Sequence, residues 1–271
     1  MPEESIRKGW LASLPNDSVA KTLIVAVGLC LVCSVVVSAT AVTLKPLQER
    51  NAALARKIEI LKIADLMREG ADVEELFSQV ETRIVDLETH RFTDAVDPET
   101  YDQRKAANDP SMSVAVPADE DIASIKRRAR YVPVYFIRKE GDVDTIILPI
   151  HGYGLWSTMY GFLALEGDAR TVKGITYYED GETPGLGAEI NNPRWQARWE
   201  GKKVYDETGE ERLRVIKGTP DPDSPESVYQ VDGLSGATLT ANGVSYTIQY
   251  WMGARAFGPF LAWLRDEGDV S

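Results

Sequence analysis

The sequence has few of the residues that bind metals, form disulfides or contact nucleic acid. Its 271 residues include only two cysteines, Cys30 and Cys33, and two histidines, His90 and His151. We therefore expect neither a disulfide framework nor a metal centre, and both cysteines lie in an apolar run where they are ordinary small residues. Lys and Arg total 30 against 42 Asp and Glu, a formal net charge of −12. Nucleic acid is not an expected partner, because binding it requires a basic face.

One long uncharged run lies near the N-terminus. Residues 22–44 read TLIVAVGLCLVCSVVVSATAVTL, and as a helix they reach roughly 34 Å, against about 30 Å for the hydrocarbon core of a bilayer. A cleaved signal peptide is the alternative, since residues 39–41 (ATA) resemble a cleavage site. Its apolar region is usually only about 7 to 15 residues long. We therefore predict an uncleaved transmembrane helix in contact with membrane lipid, preceded by a short tail at 1–21.

Residues 45–119 predict a helical stem and a linker. Helical spacing continues from residue 47 to about residue 66. A second amphipathic helix, which Asp72 can cap, is predicted from apolar residues at helical spacing. These residues are Val73, Leu76, Phe77, Val80, Ile84 and Leu87. Residues 91–119 contain three prolines and little periodicity, which predicts a surface loop or linker.

The remainder of the chain predicts one α+β domain. Residues 130–139, 142–150 and 171–179 are rich in β-branched and aromatic side chains, which predicts strands. VSYTIQYWM at 244–252 predicts a helix. Strands with flanking helices indicate an α+β fold from about residue 66 to the end, and we set the bounds of the domain that contains the candidate site at 120–271.

Two glycine-containing segments follow predicted strands. In GYGLW, Gly152 and Gly154 could approach a phosphate, but the segment lacks the third glycine of a dinucleotide fingerprint, and a β-turn is the alternative. ETPGLG, residues 182–187, favours a turn at Pro184-Gly185 that brings backbone amides close to a flat ligand. An irregular hairpin loop is the alternative for this second segment.

A short helix is predicted after Asn191. Asn192 followed by Pro193 fits an N-cap and a first helical position. Trp195 and Trp199 lie four residues apart and share one side of that helix. We expect one of them to pack in the core and the other to face a partner, lipid or a cofactor.

The segment DGLSGATLTANGV, residues 232–244, combines small residues with the start of a helix. We predict Thr240 as the N-cap of that helix. A phosphate beside Thr238 would be stabilised there by free N–H groups and the helix dipole. A capping turn without any ligand explains the same residues, and the sequence pattern leaves both interpretations open.

Taken together, these motifs resemble a known family. SGAT with Asp232 upstream resembles the flavinylation motif of the FMN-binding domain family, whose members carry FMN through a phosphoester bond to threonine. ETPGLG is similar to the second signature of that domain. An apolar N-terminal helix, GYGLW at 152–156 and both motifs in this order resemble the FMN-bearing C subunits of sodium-pumping NADH:quinone oxidoreductases.

The resemblance implies a covalent FMN site with no catalytic residue and no metal. Thr238 would bear the FMN phosphate. A flavin transferase would recognise the segment around that residue, which comprises Asp232, Ser235, Gly236 and Ala237. The isoalloxazine ring would lie against residues of two loops, which are Glu182, Thr183, Gly185, Leu186 and Gly187, and Gly152, Tyr153, Gly154, Leu155 and Trp156.

The resemblance also implies a role and a location. The chain would relay electrons within an oxidoreductase complex of the bacterial inner membrane, in contact with the other membrane subunits and without turnover of its own. The related ferredoxin:NAD oxidoreductases contain a similar FMN subunit, and an interaction module without flavin is a second alternative. Positive charges flanking residues 22–44 would place the domain in the cytoplasm. The family implies the periplasm, which we favour because long domains are translocated regardless of flanking charge.

Overall fold

The computed structural model describes residues 15, 18–68 and 70–267 of the chain. It comprises two compact units, one ending at Leu54 and the other beginning at Ala55. Helix α1, Val19–Ile63, begins in the first unit and ends in the second. Its length and its mean hydropathy of 2.6 over an 18-residue window are sufficient to cross a membrane. The predicted apolar helix is confirmed, whereas most of the predicted tail at 1–21 lies outside the described residues.

A six-stranded antiparallel sheet forms the centre of the second unit, in the order β2-β1-β5-β6-β7-β8. Its strands are β1 (Glu81–Asp86), β2 (Arg91–Phe92), β5 (Tyr131–Lys139), β6 (Asp142–Tyr153), β7 (Thr158–Glu166) and β8 (Val172–Glu179). Two small ladders accompany it, β3 (Ser113–Ala115) with β4 (Arg127–Ala129), and β9 (Arg214–Val215) with β10 (Gln230–Val231). The predicted strands at 130–139, 142–150 and 171–179 are therefore confirmed.

Helices of different lengths surround the sheet. The α-helices after α1 are α2 (Val73–Phe77), α3 (Gln103–Asn108), α4 (Pro193–Gln196), α5 (Thr238–Met252) and α6 (Gly258–Glu267). Single 3₁₀ turns occupy Gly187–Asn191, Ala197–Trp199 and Pro225–Tyr229. The helix predicted at 244–252 is confirmed as the greater part of α5.

Side chains that alternate along the strands fill two cores, one on each face of the sheet. In β6, Ile146 and Leu148 join the larger core, which also contains the buried aromatic residues of α5 and α6. Ile147, between them in sequence, joins a smaller core together with Ile60 and Leu61 of α1. Period-2 alternation in a strand buried on both faces produces this division.

Three local predictions were wrong. The helix predicted from Val73 to Leu87 ends at Phe77, because residues 81–86 pair with β5 instead. Asp72 does cap the shortened helix, accepting the N–H of Glu74 at 2.8 Å. The predicted linker at 91–119 contains β2, α3 and β3. The domain boundary at residue 120 falls too late, because β1 and β2 belong to the same sheet as the strands that follow it.

The two tryptophans of the short helix differ from expectation. Asn192 accepts the N–H of Arg194 at 3.0 Å, which confirms it as the N-cap of α4. Trp195 and Trp199 are both buried and meet edge to face at 5.5 Å between ring centroids. The expectation that one of them faces a ligand or partner was wrong, because both rings belong to the larger core.

Candidate functional site

The first residue of α5 is Thr238, and its side chain is exposed. The residue before the helix, Ala237, supplies no side-chain cap. Gly236 precedes it with a φ of +73°, which turns the chain sharply into the helix. The first N–H groups of an α-helix have no partner within the helix, so an anion bonded to Thr238 would meet free donors and the positive end of the dipole.

Thr240 does not cap this helix, contrary to the prediction. The helix begins two residues earlier, and Thr240 is buried within its first turn. Its hydroxyl donates a hydrogen bond of 2.5 Å to Oε2 of Glu182. The local pattern of small hydroxyl residues suggested a cap, but a carboxylate 58 positions away in sequence is the actual partner of Thr240.

Glu182 joins the three predicted site segments. Its side chain is only 5% exposed. Oε1 accepts the backbone N–H groups of Leu155 at 2.9 Å and Trp156 at 3.0 Å, and Oε2 accepts the hydroxyl of Thr240. One carboxylate therefore links ETPGLG to GYGLW and to the start of α5. This clamping role was not predicted, because the sequence analysis assigned Glu182 to contact with a ring.

Glycines permit this close approach of loops and helix. A Cβ on Gly187 would lie 2.5 Å from Thr240 Oγ1, and one on Gly154 would lie 2.5 Å from Glu182 Oε1. Where β6 crosses α5, a Cβ on Gly152 would clash with the side chain of Thr247. The helix contributes its own glycine, since a Cβ on Gly243 would lie 2.5 Å from the carbonyl oxygen of Tyr153. The two elements therefore meet with almost no side chain between them.

An exposed apolar surface surrounds Thr238. Trp156 is 64% exposed and Leu239 is 60% exposed. The indole N–H of Trp156 donates to Thr183 Oγ1 at 3.1 Å, which ties the exposed ring to the ETPGLG loop. Further exposed apolar side chains from the same segments are Tyr153, Leu155, Leu186 and Tyr246. Large exposed apolar groups from several segments indicate a contact surface for a ligand or a partner.

The turn before α5 contacts the ETPGLG loop. A Cβ on Gly236 would lie 3.0 Å from Leu186 Cδ2, so the backbone and this side chain are already in close contact. Gly185, two positions from Gly187, has a φ of +76°, which confirms the predicted turn. The structure thus brings together the three segments that the sequence analysis selected.

Thr238 also borders a cavity of about 460 Å³. Two segments line it, residues 215–219 and 232–236, with Thr238, Ala241 and Asn242 of α5. Lys217 and Arg198 supply positive charge at its wall. Residues 215–219 were not predicted as part of the site, because they reach α5 only through the placement of the loop after β9.

Asp232 has a partner of its own. Its carboxylate forms an ion pair with Arg198, and its backbone carbonyl accepts the indole N–H of Trp195 at 2.9 Å. Trp195 belongs to α4, and Arg198 belongs to the 3₁₀ turn that follows it. These contacts fix the segment 232–236 against α4, while Ser235 remains exposed beside Thr238.

The residues present fit a ligand such as FMN. A flat apolar ring requires exposed apolar and glycine surface, which the GYGLW and ETPGLG loops provide. A phosphate requires N–H donors and positive charge, which the start of α5 and Lys217 provide. The exposed hydroxyl of Thr238 lies at the boundary between these two surfaces.

Comparison with known proteins agrees with this geometry. Residues 154–253 match the FMN-binding domain family. The C subunit of the Na⁺-translocating NADH-quinone reductase of Pseudomonas aeruginosa is 51% identical over 92% of this chain and 97% of its own length. Its counterpart in Vibrio vulnificus is 50% identical over 93% of this chain and 98% of its own length. The crystal structure of Shewanella oneidensis NqrC aligns with a TM-score of 0.71 at 32% identity, over 77% of this chain and 95% of that one.

The fold and the site therefore define an α+β protein with an FMN-binding domain and one apolar N-terminal helix. The matched segment begins at Gly154 and ends at Gly253, so it contains the ETPGLG loop, the SGAT turn and the whole of α5. The chain belongs to the NqrC family, the C subunits of the Na⁺-translocating NADH-quinone reductases, which are oxidoreductase complexes.

Proposed function

We propose that this chain carries FMN bound covalently to Thr238 and relays electrons within a sodium-translocating NADH:quinone reductase. The observation that carries the proposal is the exposed Thr238 at the uncapped start of α5, between an apolar surface and a basic cavity. The relatives are named as the C subunits of such reductases, which favours this complex over a ferredoxin:NAD oxidoreductase.

Each segment of the site has a role in this proposal. The Oγ of Thr238 attacks the phosphorus of a flavin phosphate donor, the bond from that phosphorus to the donor's leaving oxygen breaks, and the hydroxyl proton leaves with that group. A flavin transferase that recognises Asp232, Ser235, Gly236 and Ala237 catalyses this exchange. Lys217 and the first N–H groups of α5 hold the phosphate charge. The flavin ring lies on the exposed surface of the two loops, formed by Tyr153, Leu155 and Trp156 and by Thr183, Gly185 and Leu186. Gly152, Gly154 and Gly187 support this surface from behind, packed against α5 and Glu182.

Once bound, FMN supplies the electron-accepting and electron-donating chemistry. The residues of this chain hold the ring, neutralise its phosphate and set its surroundings. A covalent bond suits a carrier that never leaves, because dissociation can no longer remove it. We assign sodium movement to partner subunits, since one uncharged helix cannot by itself line an ion pathway.

The attachment is tested by in-gel fluorescence after denaturation. We expect the wild-type chain, co-expressed with its transferase, to give a fluorescent band under ultraviolet light. The variant Thr238→Val should lose the band, whereas Thr219→Val, a matched exposed threonine at the same cavity, should keep it. Mass spectrometry of the peptide containing Thr238 should show the added mass of FMN less one water. No band from the wild-type chain beside an active transferase would refute covalent attachment. A yellow native protein that loses its colour on denaturation would then indicate FMN bound without a covalent link, and a colourless one an interaction module without flavin.

The proposed location is a single-pass anchor in the bacterial inner membrane with the domain in the periplasm. Helix α1 supports the anchor by its length and hydropathy. Alkaline phosphatase fused after the last residue is active only when exported, so it reports the side directly. We expect an active fusion, and an inactive fusion at normal expression would place the domain in the cytoplasm.

A further inference from the structure

A second cavity, of about 270 Å³, lies near the C-terminal end of α5. It is lined by Leu87, His90, Val114, Ala115, Val116, Pro117, Arg128, Tyr250, Ala254 and Arg255. Among these described residues are two arginines and a histidine but no carboxylate. Tyr250 is twelve residues after Thr238 on the same helix, which separates the two sites by roughly 18 Å at 1.5 Å per residue.

Arg128 is the unusual member of this cavity. Only 9% of its surface is exposed, and its Nε has no hydrogen-bond partner among the described residues. Within the part of the chain that the structure describes, its guanidinium makes one hydrogen bond, from Nη2 to the carbonyl of Leu87, which is long at 3.5 Å. A guanidinium has five N–H donors, and burying it without acceptors is strongly unfavourable. Accordingly, burial lowers the pKa of Arg128.

The two carboxylates whose charge acts on Arg128, those of Glu88 and Asp86, bond to another arginine. Asp86 and Glu88 accept from Arg130 at 2.8 Å and 3.0 Å. Glu120 forms an ion pair with Arg255, whose side chain is 58% exposed. Neither of these arrangements supplies an acceptor to the buried guanidinium of Arg128, so its donors remain available to the cavity.

His90 adds a second orphaned group. Its Nδ1 is buried without a hydrogen-bond partner among the described residues. Burial and then Arg128 lower the pKa of His90, so the neutral ring is favoured. A neutral Nδ1 without a proton accepts a hydrogen bond, which suits an anion that also carries a hydroxyl, such as hydrogen phosphate.

We propose that this cavity binds a small oxyanion, a phosphate or a carboxylate, through the buried guanidinium of Arg128 with Arg255 beside it. A planar guanidinium binds two oxygens of such a group at once, which satisfies the donors that the protein leaves open. Ordered water without an anion is the competing occupant, and the experiment distinguishes the two.

The test is thermal unfolding of the full flavin-loaded chain in detergent, titrated with inorganic phosphate or acetate. Sodium chloride at matched ionic strength is the reference. We expect one of the two anions to raise Tm by about 3 to 6 °C, with saturation, at ten times its Kd. A response to phosphate alone or to acetate alone identifies the chemical class of the ligand.

Variants show at which site the anion binds when it raises Tm. Arg128→Gln should abolish the rise in Tm, and Arg255→Gln, an exposed change that leaves the fold intact, should raise the apparent Kd about tenfold. Lys217→Gln, at the flavin cavity, and Arg212→Gln, on the surface, should leave it unchanged. If neither anion exceeds sodium chloride, the cavity holds water only and the proposal is wrong. The proposal is also wrong if Lys217→Gln abolishes the rise in Tm while Arg255→Gln retains it, because the anion would then bind at the flavin site.

Discussion

Removing the carboxylate of Glu182 should destabilise the protein more than any exposed substitution. The variant Glu182→Ala leaves two partly buried backbone N–H groups and the buried hydroxyl of Thr240 without their acceptor. Each hydrogen bond to a charged group contributes about 1.5 to 3 kcal/mol, and the three share one partner, so we expect a loss of about 3 to 6 kcal/mol. For a domain of this size, Tm should fall by at least about 6 °C.

Two further variants separate the contributions. Thr240→Val removes only one bond and should cost about 1 to 2 kcal/mol. Glu182→Gln keeps an oxygen for the N–H groups of Leu155 and Trp156 and should cost less than Glu182→Ala. The double variant Glu182→Ala with Thr240→Val should cost less than the sum of the two single changes, because both remove the same bond.

The measurement is thermal unfolding of the full chain in detergent, followed by tryptophan fluorescence. The matched control is Glu207→Ala, an exposed glutamate that should change stability by no more than about 0.5 kcal/mol. A loss in Glu182→Ala within about 1 kcal/mol of that control would contradict the clamping role. Additive single and double variants would show that Glu182 and Thr240 are not coupled.

Substitutions at Gly187, Gly185 and Glu211 should change stability to different extents. Gly187→Ala should destabilise strongly, because its Cβ would lie 2.5 Å from Thr240 Oγ1, whereas Gly185→Ala faces open space and should cost only the strain of its positive φ, about 1 kcal/mol. Thermal unfolding of the two variants compares these costs directly, and equal losses would contradict the close approach at Gly187. Burial raises the pKa of Glu211 to about 8 from its ordinary 4.5. The unfolded state therefore ionises first, and the contribution of Glu211 to stability should fall as pH rises from about 4.5 to 8. Glu211→Gln should remove this fall, so its Tm advantage should be larger at the upper end of that pH range than at the lower end, and a constant difference would contradict the raised pKa.

The site segments could be predicted because their chemistry is local. The SGAT turn requires small residues and a positive φ at Gly236, and both are properties of adjacent positions. The N-cap at Asn192 is similarly local, since its side chain accepts an N–H two residues later. Where acceptor and donor are neighbours in sequence, the residue types alone indicate the structure.

Contacts between distant segments could not be predicted in this way. Thr240 looks like a cap in sequence, but its hydrogen bond goes to Glu182, which arrives from another loop. The apolar residues between Val73 and Leu87 fit a helix, yet pairing with β5 converts the second half of that segment to a strand. The apolar residues do have helical periodicity, but pairing with a neighbouring strand stabilises this half of the segment more than a helix would. Lys217 joined the site only because β9 places its loop beside α5.

The crossing of β6 and α5 at Gly152 and Gly243 has a consequence for cofactor attachment. With no side chain to act as a spacer, the loop that ends in Trp156 and the helix that begins at Thr238 are fixed to each other when the protein folds. The loop and the start of the helix are thus preorganised, and the conformational entropy of bringing them together is lost during folding rather than during flavin loading. For a flavin bonded to Thr238, the same rigidity would keep the ring in one set of surroundings as electrons arrive and depart.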